Sequence, residues 1–130
     1  MGAFDQTFAN KILDTVLSQA TWTATVTTIK CKLMVANGSA TSAGTELSGG
    51  SYVAGGISVA TWASASAGSK ASSAAVTQTN MPAATTQGVE LFDSAGTPVR
   101  IAWGALAANK TTSAGDTFTI ASGSLSLAFP

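Results

Sequence analysis

The chain has no histidine, a single cysteine (Cys31), one tyrosine and only six acidic against six basic residues in 130 positions. Each scarcity excludes something. Without histidine there is no Ser-His-Asp triad, no Cys-His dyad and no imidazole to hold a metal. A lone cysteine rules out an intramolecular disulfide, and with it a disulfide-stapled scaffold. Lys11, Lys30, Lys32, Lys70, Arg100 and Lys110 never gather into a run, and the formal net charge is zero. Phosphate recognition needs several cations on one face, so nucleic acid is not an expected partner. No window approaches the ~20 apolar residues of a membrane span. Asp5, Lys11 and Asp14 also interrupt the place where the apolar core of a signal peptide would lie. A membrane is therefore not expected as a partner either. No spacing matches an EF-hand, a zinc site, a P-loop or a dinucleotide fingerprint, so no cofactor and no metal is expected.

Alanine, serine, threonine and glycine fill the space instead. A surface this poor in charge carries little self-repulsion and suits a subunit packed among neighbours. The length fits one domain, residues 1–130, and a chain of this size hides roughly two thirds of its unfolded surface on folding. Apolar residues for a core are dispersed along the whole chain, from Ile29, Leu33 and Val59 to Leu91, Ile101, Phe118 and Leu125.

Residues 1–20 read as helical. Phe4, Phe8, Ile12, Leu13, Val16 and Leu17 recur at three- and four-residue steps, while Lys11 and Asp14 fall on the other side. The spacing predicts an amphipathic helix near residues 4–19 with Asp5 at its positive end. Such a stripe either covers the domain's own sheet or docks on a neighbouring subunit. Phe4, Phe8 and Ile12 are accordingly candidate subunit-interface residues.

From residue 21 onward the period becomes two. The β-branched run Thr21 to Thr28 leads into the alternating Ile29 to Val35, which puts the Cys31 thiol on the inward face with Ile29, Leu33 and Val35. A small-residue loop, Asn37 to Gly50, follows. Tyr52, Val53, Ile57 and Val59 form a strand region kinked at Gly55-Gly56. Ala63 to Ala75 reads as a loop with a weakly patterned edge strand, and Val76 to Asn80 as extended until Met81-Pro82. A hairpin is written in Val89 to Asp93, a turn at Ser94-Ala95-Gly96 with Gly96 at positive φ, and Thr97 to Trp103. A second hairpin is expected from Thr117 to Ile120 and Ser124 to Phe129 about Ser122-Gly123, with Leu125, Leu127 and Phe129 inward. The fold class is mainly β: an antiparallel β-sandwich or jelly-roll-like barrel over 21–130, preceded by one N-terminal amphipathic helix.

Chemistry has little to work with. Glu90 and Asp93, three apart, point to opposite faces of a continuing strand and read as solvated strand-end charges. Ser69 and Lys70 are merely adjacent in a loop. No catalytic residue is expected, and the chain does not read as an enzyme. Trp22, Tyr52, Trp62 and Trp103 could stack on sugar rings, but the shortage of nearby Asp, Asn and Gln to grip hydroxyls favours subunit contact or core. Trp22, Tyr52 and Trp62 join the candidate interface residues.

The order of segments is informative in its own right: Ala9 to Asp14, Glu46 to Tyr52, Gly88 to Asp93, Trp103 to Leu106, Lys110-Thr111, Ala114 to Thr117 and Ala121 to Leu125. In these the chain resembles a family of short tailed-bacteriophage virion proteins, commonly labelled minor tail or tail-fibre-like. It departs from that family in its Ala/Ser-rich stretch, Ala63 to Ala75, and in having Gln87 where the family has a tryptophan. The resemblance implies a non-enzymatic virion protein, made in the host cytoplasm, with other virion proteins as partners. A compact domain without heptads or β-helical repeats is expected to be a capsid decoration (cement) protein bound to the major capsid protein, an easier geometry for a small sandwich than a fibre shaft. A minor tail or tail-fibre-associated protein is the alternative, and a host-glycan-binding module a further one. Homo-oligomerisation is expected in each virion case.

Overall fold

The structure is a computed structural model and describes residues 3–17 and 28–129. It is built on a main antiparallel sheet in the order β1-β8-β7-β2-β3. These strands are β1 (Ala3–Phe4), β2 (Ile29–Ala36), β3 (Thr45–Glu46), β7 (Ala84–Phe92) and β8 (Arg100–Thr112). A further strand, β4 (Ile57–Val59), shares the open side of β2 with β3, taking the half at Ile29 to Cys31. Two short ladders form the second layer: β5 (Ser69–Ala71) with β10 (Ser126–Ala128), and β6 (Val76–Gln78) with β9 (Phe118–Ile120). Among the described residues the architecture is an antiparallel β-sandwich with one short helix, α1 (Gln6–Val16), and the sheets do not close into a barrel.

Alternation builds the core. Cys31 pairs with Leu91 and Leu33 with Val89 across β2 and β7, and cross-strand partners share a face. That face meets the small ladders through two apolar clusters. One gathers Cys31, Val59, Val76, Leu91, Ile101, Ala102 and Leu125. The other gathers Leu33, Leu47, Tyr52, Met81 and Phe118. Lys32 and Glu90, paired one residue away, stand on the opposite face. The strand region expected from Tyr52 to Val59 is confined to β4, Ile57–Val59; Gly55-Gly56 precede it in a turn, where Gly56 has a φ of +99° and a Cβ would lie 2.9 Å from the Cys31 carbonyl oxygen.

Several expectations meet a different outcome. The helix is shorter than residues 4–19 because Phe4 is spent on β1, pairing with Ala102. The strand expected at Thr21 to Thr28 falls mostly on residues outside those described. Gly96 has no positive φ; the turn is held by Asp93, whose Oδ1 accepts from the Val99 N–H at 2.8 Å and the Ala95 N–H at 3.3 Å. The C-terminal strands β9 and β10 are not a hairpin, since each pairs with a different partner 40 to 59 positions upstream, as in Thr77 with Thr119 and Leu127 with Lys70. Strand β8 runs well past Trp103 to Thr112, and between Thr86 and Gly88 of its partner the register slips from Lys110 to Ala105. That offset makes residues around Leu106 to Asn109 a wide bulge at the sheet's rim.

Candidate functional site

Asp5 is the residue on which the N-terminal region turns. Its extended backbone (φ −61°, ψ 140°) makes it the N-cap of α1, and its Oδ1 accepts from the N–H groups of Thr7 (2.9 Å) and Phe8 (3.3 Å). Its Oδ2 accepts from Arg100 Nε at 3.0 Å and Nη2 at 2.8 Å. Arg100 then donates from Nη1 to Glu90 Oε1 (3.1 Å) and the Ser42 carbonyl (2.9 Å), and from Nη2 to the Ser39 carbonyl (2.7 Å). The five N–H donors of the guanidinium thus meet five bonds to protein acceptors.

Burial decides what this cluster does. Asp5, Glu90 and Arg100 are 8 %, 1 % and 8 % exposed, so none is offered to a substrate. A buried ion pair adds modest net stability, but removing one partner strands a charge at a cost of about 3–5 kcal/mol. The cluster therefore works as a clamp. It ties the start of α1 to the hairpin of β7 and β8 and to the loop 37–44. That loop also accepts the Gln6 N–H at the Ala40 carbonyl (3.0 Å) and donates its Gly44 N–H to Glu90 Oε1 (2.8 Å). Gly38 is required there because a Cβ would collide with Glu90 Oε1.

Beyond its root the helix is sparsely covered. Phe8 packs on the first core cluster and Ile12 is half-buried, but no residue of α1 is fully buried. Leu13, Val16 and Leu17 are 57 %, 71 % and 66 % exposed. Phe4 stacks on Phe8 with centroids 5.9 Å apart and tilts against Phe129 at 4.9 Å. The result is an apolar surface joining β1, α1 and the end of the chain beyond β10.

The candidate interface residues divide. Phe4, Phe8 and Ile12 come together on this surface. Tyr52 stands apart in the second core cluster, 8 % exposed, its hydroxyl donating to Glu46 Oε1 (2.8 Å) and accepting from the Leu33 N–H (3.1 Å). Burial pushes its phenol upward from the ordinary tyrosine range. Trp62 is half-buried against the first cluster, with its indole Nε1 turned inside the protein. Trp22 lies outside the described residues. Phe129, expected inward, is 60 % exposed and adds to the Phe4 surface instead.

Glu90 and Asp93 are not solvated charges at a strand end. Both are buried, one in the clamp and one in the turn, because each satisfies inward N–H groups that no backbone carbonyl reaches. The clamp itself was invisible in the sequence, where Arg100 read as one more scattered cation. Its one local signal is an arginine set between the apolar Val99 and Ile101, where β8 begins. Cys31 is fully buried, and desolvation pushes its thiol up to about 12, which fits the inert apolar role. Among the described residues no group of three or more His, Cys, Asp or Glu could hold a metal ion. None of their helices is long and apolar enough to cross a membrane.

A sandwich that spends its buried charges on internal ties and leaves apolar side chains at the surface has the make-up of a structural, interacting protein. Comparison with protein families specifies which kind. The chain belongs to the podophage GP4 fiber I protein gp80 family, whose model matches residues 3–128. It is thus a tailed-phage virion protein of a fibre family. Comparison with curated proteins gives no match.

Proposed function

We propose that this chain is a non-enzymatic structural subunit associated with the tail fibre of a podophage virion, held among other virion proteins by its N-terminal apolar surface. The observation that carries this reading is the helix α1, fixed at its root by the buried Asp5–Arg100–Glu90 clamp while Leu13, Val16 and Leu17 remain exposed. A helix rooted rigidly presents its apolar end in one direction, which lowers the ordering cost of docking. Phe4, Phe8, Ile12 and Phe129 extend the contact, and repeated copies of such a contact give a homo-oligomer.

The fibre designation of the family supports the tail over capsid decoration. Of the four aromatics on which the glycan reading drew, Tyr52 is inside the core, and Trp62 and Trp103 turn their indole N–H groups inward, which weakens that reading. Virions lacking the chain provide the test. Their heads should withstand heating as well as intact heads, while adsorption to host cells falls. Heads that lose thermal stability with adsorption preserved would favour a cement protein instead.

A further inference from the structure

Lys70 stands in the middle of β5, where its cross-strand partner in β10 is Leu127. Cross-strand partners share a face, and Leu127 packs on the first core cluster, so the Lys70 stem runs over the core side of its ladder. There it walls a pocket of about 170 Å³ together with Ile29, Trp62, Leu91, Ile101 and Leu127. The exposed wall of this pocket is wholly apolar, so the ammonium lies beyond it, at the mouth, where the residue meets solvent. Among the described residues the ion pairs belong to Lys32 and Arg100, and no carboxylate pairs with Lys70. A cation without a partner thus borders an apolar recess. The groove of about 200 Å³ beside β8 differs, because no charged residue lines it.

We propose that the Lys70 pocket binds a small amphiphilic carboxylate, its acyl chain lying in the recess and its carboxylate meeting the Lys70 ammonium. A cavity of about 150 Å³ admits a benzene ring, so about 170 Å³ holds roughly six or seven carbons. Charge decides the class of occupant. A neutral chain reaching the mouth would cover the ammonium without giving it a partner, at a desolvation cost. A carboxylate at the same end replaces the lost water with a charge-assisted hydrogen bond. A polyanion is not the ligand, since it needs several cations on one face and the mouth offers one. Leu91 and Ile101 are buried members of the core cluster, so part of the wall is fixed before any ligand arrives. No residue of α1 lines the pocket, which makes this site independent of the fibre-subunit reading.

Titration of the full chain, labelled at its isoleucine and leucine methyl groups, tests this by NMR. Sodium heptanoate at neutral pH should shift the methyls of Ile29, Leu91, Ile101 and Leu127, with a Kd of about 1–10 mM, ordinary for so small a ligand. Raising the salt concentration should weaken that binding. Lys70→Met keeps an apolar stem at an exposed position, so the fold stands. It should weaken heptanoate at least about threefold, within the range of a partly exposed ion pair. Lys70→Arg should restore the affinity. The uncharged 1-heptanol should bind the wild type and Lys70→Met alike. Heptanoate binding that is unchanged in Lys70→Met, or that falls there no more than heptanol binding does, would overturn the proposal by showing that the pocket selects only for apolar surface. Shifts confined to methyls outside the pocket, or no shifts at several times the expected Kd, would overturn it as well.

Discussion

At the residue scale, the arginine that opens β8 joins α1, the loop 37–44 and β7 through five hydrogen bonds. Arg100→Leu leaves Asp5 and Glu90 facing one another in a buried site without their cation. It should cost about 3–5 kcal/mol in denaturant titration, whereas Lys110→Ala, an exposed change, should stay within about 0.5 kcal/mol. The sequence showed Asp5 as a helix start and Arg100 as an isolated cation. It could not show that they meet, because 95 positions separate them and nothing in a local pattern encodes such a pairing.

Cys31 gives a second residue-level expectation. Its folded pKa is raised from 9.0 to about 12, so the buried thiol contributes stability that is fully present below the unfolded value and is lost as pH rises through that window. Tyr52 is shifted in the same direction and adds to the loss at the alkaline end. Unfolding free energy should therefore fall between about pH 9 and 12, by up to about 1.4 kcal/mol per pH unit for each group. Cys31→Ala should flatten the lower part of that decline. A thiol reagent should label the native protein only at the rate at which it opens, and prompt labelling at neutral pH would refute the burial.

At the element scale, strands with local signals were legible and strands defined by distant partners were not. The alternation Ile29 to Val35 corresponds to β2, and the hairpin about Ser94 to Gly96 corresponds to β7 and β8. The far half of β8 was hidden because Gly104-Ala105-Leu106-Ala107-Ala108 has neither alternation nor β-branching. Its extended form comes from pairing on both sides of the slip, Gly104 and Ala105 with Val89 and Gly88, and Lys110 to Thr112 with Thr86 to Ala84. In the same way β9 and β10 look like a hairpin in sequence, but β5 and β6 take up their edges. Burial along the C-terminal segment still follows the expected face as far as Leu127, and it sets an order of sensitivity. Leu125→Ala should cost about 2–5 kcal/mol, while Ser126→Asp, on the exposed side, should cost under about 0.5 kcal/mol. Comparable losses at both would mean that this strand's register is wrong.

The helix belongs to the same scale and constrains how it is tested. Its apolar stripe was readable from Phe8, Ile12 and Val16, but which part of it the fold covers depended on Asp5 and Arg100. Deleting the N-terminal segment removes Asp5 along with the helix and leaves the Arg100 guanidinium short of two bonds. Such a truncation is expected to lose stability, so point changes at Leu13 and Val16 are the informative ones.

At the scale of the whole molecule, the scarcity of charge and of reactive side chains is matched by a fold that uses its buried charges, Asp5, Glu90, Asp93 and Arg100, for internal anchoring. The surface left over is small-residue β-structure with one apolar helix end. That is the composition of a part in an assembly, and membership in a fibre family places the assembly on a phage virion. Location within the particle is the most direct check on the account. Gly96 is exposed in the β7–β8 turn, and a side chain built there meets nothing within 4 Å, so Gly96→Cys carries a gold label without disturbing the fold. Cys31 is buried and does not compete for the label. Electron cryo-microscopy of labelled virions should find gold along the tail fibres and not over the head; gold distributed across the capsid lattice would contradict the account.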